Sequence, residues 1–183
     1  MLTRLPIALH YPKLDLSSLQ VFVFADYSGS ATSPLPQCQI GYLVALVDSS
    51  HRFLLLHWAS HRPHRVCRGS CAGELLALAD AVAAALDVRL LLQVLLSRRV
   101  PMAAYTESSA AYDPITSFKD PTDMTGKNGL LMLRRELLDG TLRVVHLVHG
   151  AHNPADAFSK PTYARPASTT PSTWRCRLAC CAR

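Results

Sequence analysis

The sequence predicts an α/β domain built on a mixed five-stranded sheet, three antiparallel strands followed by parallel additions, flanked by helices. Three observations carry that expectation. Three strand-like runs come first, joined by short polar links; a long apolar helical stretch separates the third from a fourth; a leucine-periodic segment separates the fourth from a fifth. Short links suit antiparallel neighbours, whereas parallel strands need a crossover of about a dozen residues or more.

The elements follow in order. Leu19 to Phe24, in LQVFVFAD, is dense in Val and Phe and ends at Asp26, ahead of the turn-prone SGSATSPLP. Gln39 to Val47, QIGYLVALV, is the second strand, Asp48-Ser49-Ser50 a turn, and Arg52 to Ala59, RFLLLHWA, the third. In RGSCAGELLALADAV, Ser70 or Cys71 opens a helix with Glu74 in its first turn, where the positive helix end favours a carboxylate. The run from Leu75 to Leu96 is apolar on several faces, so burial against the sheet is expected. It has the length of a membrane span, but Asp80, Asp87 and Arg89 interrupt it, and mid-span charges are costly in lipid, so no membrane partner is expected.

Val100 to Thr106 is a fourth strand, reached through a helical crossover and hence parallel to the first. Ser108 to Ile115 reads as a short helix ended near Pro114, and residues 115–129 as a polar, turn-rich loop. Leu130, Leu133 and Leu137 recur at helical spacing before a stop at Gly140. Leu142 to Val148 is the fifth strand, and Asn153 caps a last short helix with Pro154 and Asp156 in its first turn. The domain thus spans residues 19–161. Residues 1–18 read as a linker or the end of a preceding domain, and 162–183, which lose periodicity, as a disordered tail.

Bulk properties narrow the function classes. Apolar residues make up 49% of 183, more than a disordered chain carries, so the chain folds around a core. Net charge is +6, and HWASHRPHRVCR, from His57 to Arg68, packs three His and three Arg into twelve residues. That run is either a phosphate-facing patch or a solvated loop. The six cysteines follow an N-terminal stretch without a signal-peptide run, which points to a reduced, intracellular chain; His61, His64, Cys67 and Cys71 match no standard zinc spacing.

Four acids stand at element ends: Asp26, Glu74, Glu107 and Asp156, separated by 48, 33 and 49 residues. If the first and fourth strands are parallel neighbours, Asp26 and Glu107 leave the same sheet edge. Each acid alone is equally at home in water or on a helix dipole. Gathered together, four carboxylates repel unless cations lie among them, and hard oxygen ligands suit Mg²⁺ or Mn²⁺, two of which can clamp a phosphodiester.

The segments VFVFADYSGS, GYLVALV, HWASHRPHRVCRGSCAGELLALADAVAAALDVRLLLQ, AAYTESSAA and LRVVHLVHGAHNPADAFSKP, in that order from Leu19 to Pro161, resemble the ribonuclease H domain that follows the reverse transcriptase in copia-type LTR retrotransposon polyproteins. The resemblance implies a ribonuclease H fold, metal-dependent hydrolysis of the RNA strand of an RNA–DNA hybrid, and the reverse transcriptase domain of the same polyprotein as a partner. Asp26, Glu74 and Asp156 match family acids. His152 resembles a family histidine that helps proton transfer or product release, and Lys127 a basic position. Arg62, Arg65, Arg68 and Lys127 are the candidate phosphate contacts. Glu107 departs from the pattern: the family has Asp there, usually followed by Asn, and this chain has Glu107-Ser108. One more methylene moves the carboxylate by a bond length, and a misplacement on the order of 1 Å can cost about a hundredfold in rate. Two further readings remain open from the sequence: a decayed or co-opted nucleic-acid-binding module of the same fold, and another acid-cluster nuclease.

Overall fold

The strand β1, Gln20–Ser28, alternates its side chains between two cores: Val21, Val23 and Ala25 enter one, Phe22 and Phe24 the other. That two-sided burial explains a run without polar alternation. In this computed structural model, which describes residues 11–29, 38–64, 67, 69–120 and 126–160, β1 is the central strand. Around it lie β2 (Gln39–Val47), β3 (Phe53–His61), β4 (Met102–Thr106) and β5 (Leu142–Leu147), in the order β3-β2-β1-β4-β5. The β1–β2 and β2–β3 pairs are antiparallel, and β1–β4 and β4–β5 are parallel, as the link lengths predict. The linker and tail expected at 1–18 and 162–183 lie largely outside the described residues.

One sheet face carries three helices: α1 (Ser70–Leu96), α2 (Ser109–Ser117) and α3 (Lys127–Leu138). Leu75, Leu78 and Val82 of α1, with Leu130 and Leu133 of α3, are fully buried with Val21, Val23 and Ala104 of the sheet. Each such side chain contributes about 1.5–3 kcal/mol of burial. The other face holds Phe22, Phe24, Leu43, Ala103 and Tyr105, with the short α4 (Asp156–Ser159) laid against β2. Phe24 and Tyr105, paired in register, stack their rings at 4.5 Å and 14°. Because side chains alternate with period two, Asp26 and Glu107, each two residues further on, leave β1 and the end of β4 on the same face and at the same level.

Several local expectations are corrected. Strand β1 does not end at Asp26 but runs two residues further to Ser28, since β2 pairs with it to the end, Asp26 opposite Gly41. Glu74 is the fifth residue of α1 and buried, one turn in from the helix start rather than in the first turn. Helix α2 continues through Pro114 to Ser117. The Ala110 carbonyl, which a residue-114 amide would otherwise use, accepts the Cys71 thiol at 3.1 Å. Helix α3 begins at Lys127, inside the segment read as a loop. Finally, α1 is not buried along its length: Leu90, Leu91, Val94 and Leu95 are 60–71% exposed, although no helix of the described residues is long and apolar enough to cross a membrane.

Two glycines separate packing from backbone conformation. A Cβ on Gly41 would lie 2.5 Å from the Phe158 carbonyl carbon and 2.8 Å from the Ala155 oxygen, both backbone atoms of the α4 segment. Gly140, after α3, has φ +67° and open space around it. Gly41→Ala is expected to lower stability by about 1–3 kcal/mol through overpacking and to push α4 off the sheet. Gly140→Ala is expected to lose a comparable amount, about 1–2 kcal/mol, through left-handed strain alone. Denaturant midpoints measure both losses, and protection of α4 amides from hydrogen exchange should fall only in the Gly41 variant.

Candidate metal centre

The shared face and level of Asp26 and Glu107 bring their carboxylates together, and α4 supplies a third. Ligand oxygens of Asp26, Glu107 and Asp156 all lie within 4.8 Å of one another, the only such group of metal-ligating side chains among the described residues. The chain from 153 to 160 builds this corner. Asn153, expected as a helix cap, accepts the Ala155 amide on Oδ1 as a cap does, and also donates from Nδ2 to the Ala25 carbonyl at 2.9 Å. One buried side chain thereby stitches the turn to β1 beside Asp26. The helix starts at Asp156, so its carboxylate is carried over the sheet edge.

Glu74 comes from the opposite face, where the second turn of α1 passes the end of β1. It accepts a hydrogen bond from the Tyr27 amide and feels the charges of Asp26 and Glu107, but it stands outside the three-acid group. Burial, first of all, and then those two charges push its carboxyl up to about 8. Burial likewise raises Glu107, followed by the charges of Asp26 and Asp156 and a hydrogen bond with Asp26; the nearby Lys160 ammonium opposes the rise. Oε2 of Glu74 and Oε2 of Glu107 are both buried without a hydrogen-bond partner among the described residues. An orphaned carboxylate oxygen is costly in a protein interior. A cation seated among these oxygens removes that cost, so the donor set, all hard oxygens, fits Mg²⁺ or Mn²⁺.

Two supporting residues were missed in the sequence. Ser159 donates its hydroxyl to Asp26 Oδ2, and Lys160 forms an ion pair with Asp156 that raises the lysine. Lys160 stands four residues from Asp156, a spacing at which helical side chains meet, which is the signal that could have found it, whereas Ser159 meets Asp26 across 133 positions. Of the other candidates, His152 ends the turn 150–152, its ring 6.0 Å from that of His149. Lys127 is exposed at the start of α3, next to Gly126, which packs on Ala72 and Leu75 in the N-terminal turns of α1. Arg62 is exposed just beyond β3, with its carbonyl in contact with His61 Nδ1. Arg65 and Arg68 lie outside the described residues.

No protein-family model matches the chain, and no curated protein does. Solved structures do match. RNase H1 from the halophilic archaeon Halobacterium salinarum is 20% identical, with TM-score 0.52, covering 76% of this chain and 92% of that one. The N-terminal RNase H domain of rv2228c from Mycobacterium tuberculosis, solved as a maltose-binding-protein fusion, is 14% identical, with TM-score 0.52, over 91% of this chain and 100% of that one. LC11-RNase H1, solved in complex with an RNA/DNA hybrid, is 16% identical, with TM-score 0.53, over 76% and 93%. At these identities the likeness is one of architecture, and it agrees with the strand order found above: this chain has a ribonuclease H-like fold.

Proposed function

We propose that this protein is a metal-dependent endonuclease that cleaves the RNA strand of RNA–DNA hybrids, as the ribonuclease H domain of a copia-type retrotransposon polyprotein. The observation that carries the reading is the convergence of Asp26, Glu107 and Asp156 within 4.8 Å, beside two buried carboxylate oxygens that lack partners. The neighbour solved with an RNA/DNA hybrid supports the substrate class, and the ordered motifs from VFVFADYSGS to NPADAFSKP support the polyprotein context.

Asp26, Glu107 and Asp156 would hold divalent ions, Mg²⁺ or Mn²⁺, with Glu74 at the edge of the group. Two bound ions would supply a deprotonated water and charge neutralisation on the scissile phosphate. The chain's own residues do the rest. The Ser159 hydroxyl and the Asn153 stitch fix Asp26 and its strand. Lys160 offsets the charge of Asp156 on the open side. Glu74, held protonated near neutral pH, would give up its proton on joining a bound cation. His152, in the turn between β5 and α4, moves a proton or eases product release. Arg62 and Lys127, joined by Arg65 and Arg68, attract the sugar-phosphate backbone in a salt-dependent way, and contact with 2′-hydroxyls selects RNA.

A second reading, a binding module without turnover, is favoured by one feature, glutamate at 107 in place of aspartate. A cleavage assay on a labelled hybrid with Mg²⁺ or Mn²⁺ separates the two. The expected outcome is RNA cleavage that Asp26→Asn reduces by more than the roughly 10–100-fold that loss of a supporting partner costs. Salt-sensitive hybrid binding without cleavage, in the wild type and in Glu107→Asp alike, selects the binding module.

The pH dependence of stability has a definite sign. Below pH 4.5 Glu74 is protonated whether folded or not; between 4.5 and about 8 it ionises only when unfolded. The folded state therefore binds the extra proton, and the metal-free protein loses stability as pH rises through that window. Melting temperatures in chelator should fall across it, and Glu74→Gln should flatten that part of the slope; an unchanged slope would contradict the assignment.

A further inference from the structure

Gly150 follows β5 and opens the turn 150–152. A Cβ placed on it would lie 2.7 Å from Glu107 Oε2, 3.3 Å from Cδ and 3.6 Å from Oε1, so its three nearest neighbours are all atoms of one carboxyl group. The sheet sets up this approach. Thr106 and Leu147 pair in register, and the Val148 amide donates to the Thr106 carbonyl at 2.9 Å, extending the ladder one residue past β5. The chain then crosses directly over the side chain that follows Thr106.

Resting on the metal centre proposed above, we infer that Gly150 is a positioning residue of that centre: its missing side chain is the space that accepts the longer glutamate at 107. A glutamate at this strand end, one methylene longer than an aspartate, must put that extra length either forward into the cluster or aside. Here the carboxyl group lies against Gly150 and still keeps an oxygen within 4.8 Å of ligand atoms on Asp26 and Asp156. The glutamate is thus accommodated by a gap in the facing turn, and Glu107 and Gly150 act as a matched pair. Backbone conformation is not what calls for glycine. The positive-φ positions among the described residues are His51, Ser97, Phe118 and Gly140, so alanine at 150 meets no left-handed strain. What it meets is the carboxyl end of Glu107, which must shift from its place beside Gly150.

A double-mutant cycle on the full chain tests this, with wild type, Gly150→Ala, Glu107→Asp and the double variant compared by Mn²⁺ titration calorimetry. In the wild-type background Gly150→Ala should weaken Mn²⁺ binding by about tenfold or more. In the Glu107→Asp background, where the carboxylate is one bond shorter, the same substitution should change affinity by less than about twofold, so the effects are strongly non-additive. A merely structural role for Gly150 would give equal losses in both backgrounds, and that result, or no loss in the wild-type background, overturns the inference while leaving the metal centre standing. A wild type that binds no Mn²⁺ overturns the centre and the role of Gly150 in it together. Should Gly150→Ala fail to fold, recovery of folding in the double variant supports the matched pair, and a double variant that also fails to fold refutes it.

Discussion

Like-charge crowding at one sheet edge governs this structure. Two unit charges about 4 Å apart repel by about 4 kcal/mol at an effective dielectric near 20, and three carboxylates meet here at a similar spacing with a fourth close by. The metal-free protein copes in three ways. Glu74 and Glu107 hold their protons more tightly than isolated carboxyls do. Lys160 reaches back from the end of α4 to Asp156. The Ser159 hydroxyl occupies one oxygen of Asp26. Two buried oxygens still lack partners, and that residue of unmet demand is what a divalent cation would satisfy.

Holding the acids in this arrangement needs a rigid base. The sheet supplies it by burying both faces of β1 and by locking β1 to β4 through the stacked Phe24 and Tyr105 rings, two residues short of the acids on each strand. On the other side Gly41 lets α4 come into backbone contact with β2, which brings Asp156 to the same edge. Side chains that touch no substrate thus determine where the carboxylates end. The same reasoning places Gly150 among the determinants of the site, because a close backbone approach at one residue fixes the room available to another.

Much of this was legible in the sequence. The runs VFVFA and IGYLVALV announced the first two strands, and link lengths gave the antiparallel-then-parallel pattern. The four element-end acids were found by position, and three of them meet. What the sequence concealed depends on contacts distant in the chain. Where α2 runs through Pro114, a thiol from α1 takes the freed carbonyl, and no local rule announces it. Asn153 was legible as a cap, but its second partner, a carbonyl 128 positions away, was not. The roles of Gly41 and Gly150 lie in what faces them across the fold, which no glycine pattern reveals. The apolar stretch at the end of α1 suggested burial on several faces, but only Val88, Leu92 and Leu96 pack against the core there, and the stripe of Leu90, Leu91, Val94 and Leu95 is exposed.

The central claim, that this edge is a cation site whose buried Glu74 keeps its proton until metal arrives, is tested most directly by counting protons. Mn²⁺ binding measured by calorimetry at neutral pH, in buffers of different ionisation enthalpy, should give enthalpies that shift with the buffer in the sense of proton release, and Asp26→Asn should abolish the binding. Absence of binding, binding without proton release, or unchanged binding by Asp26→Asn would contradict it.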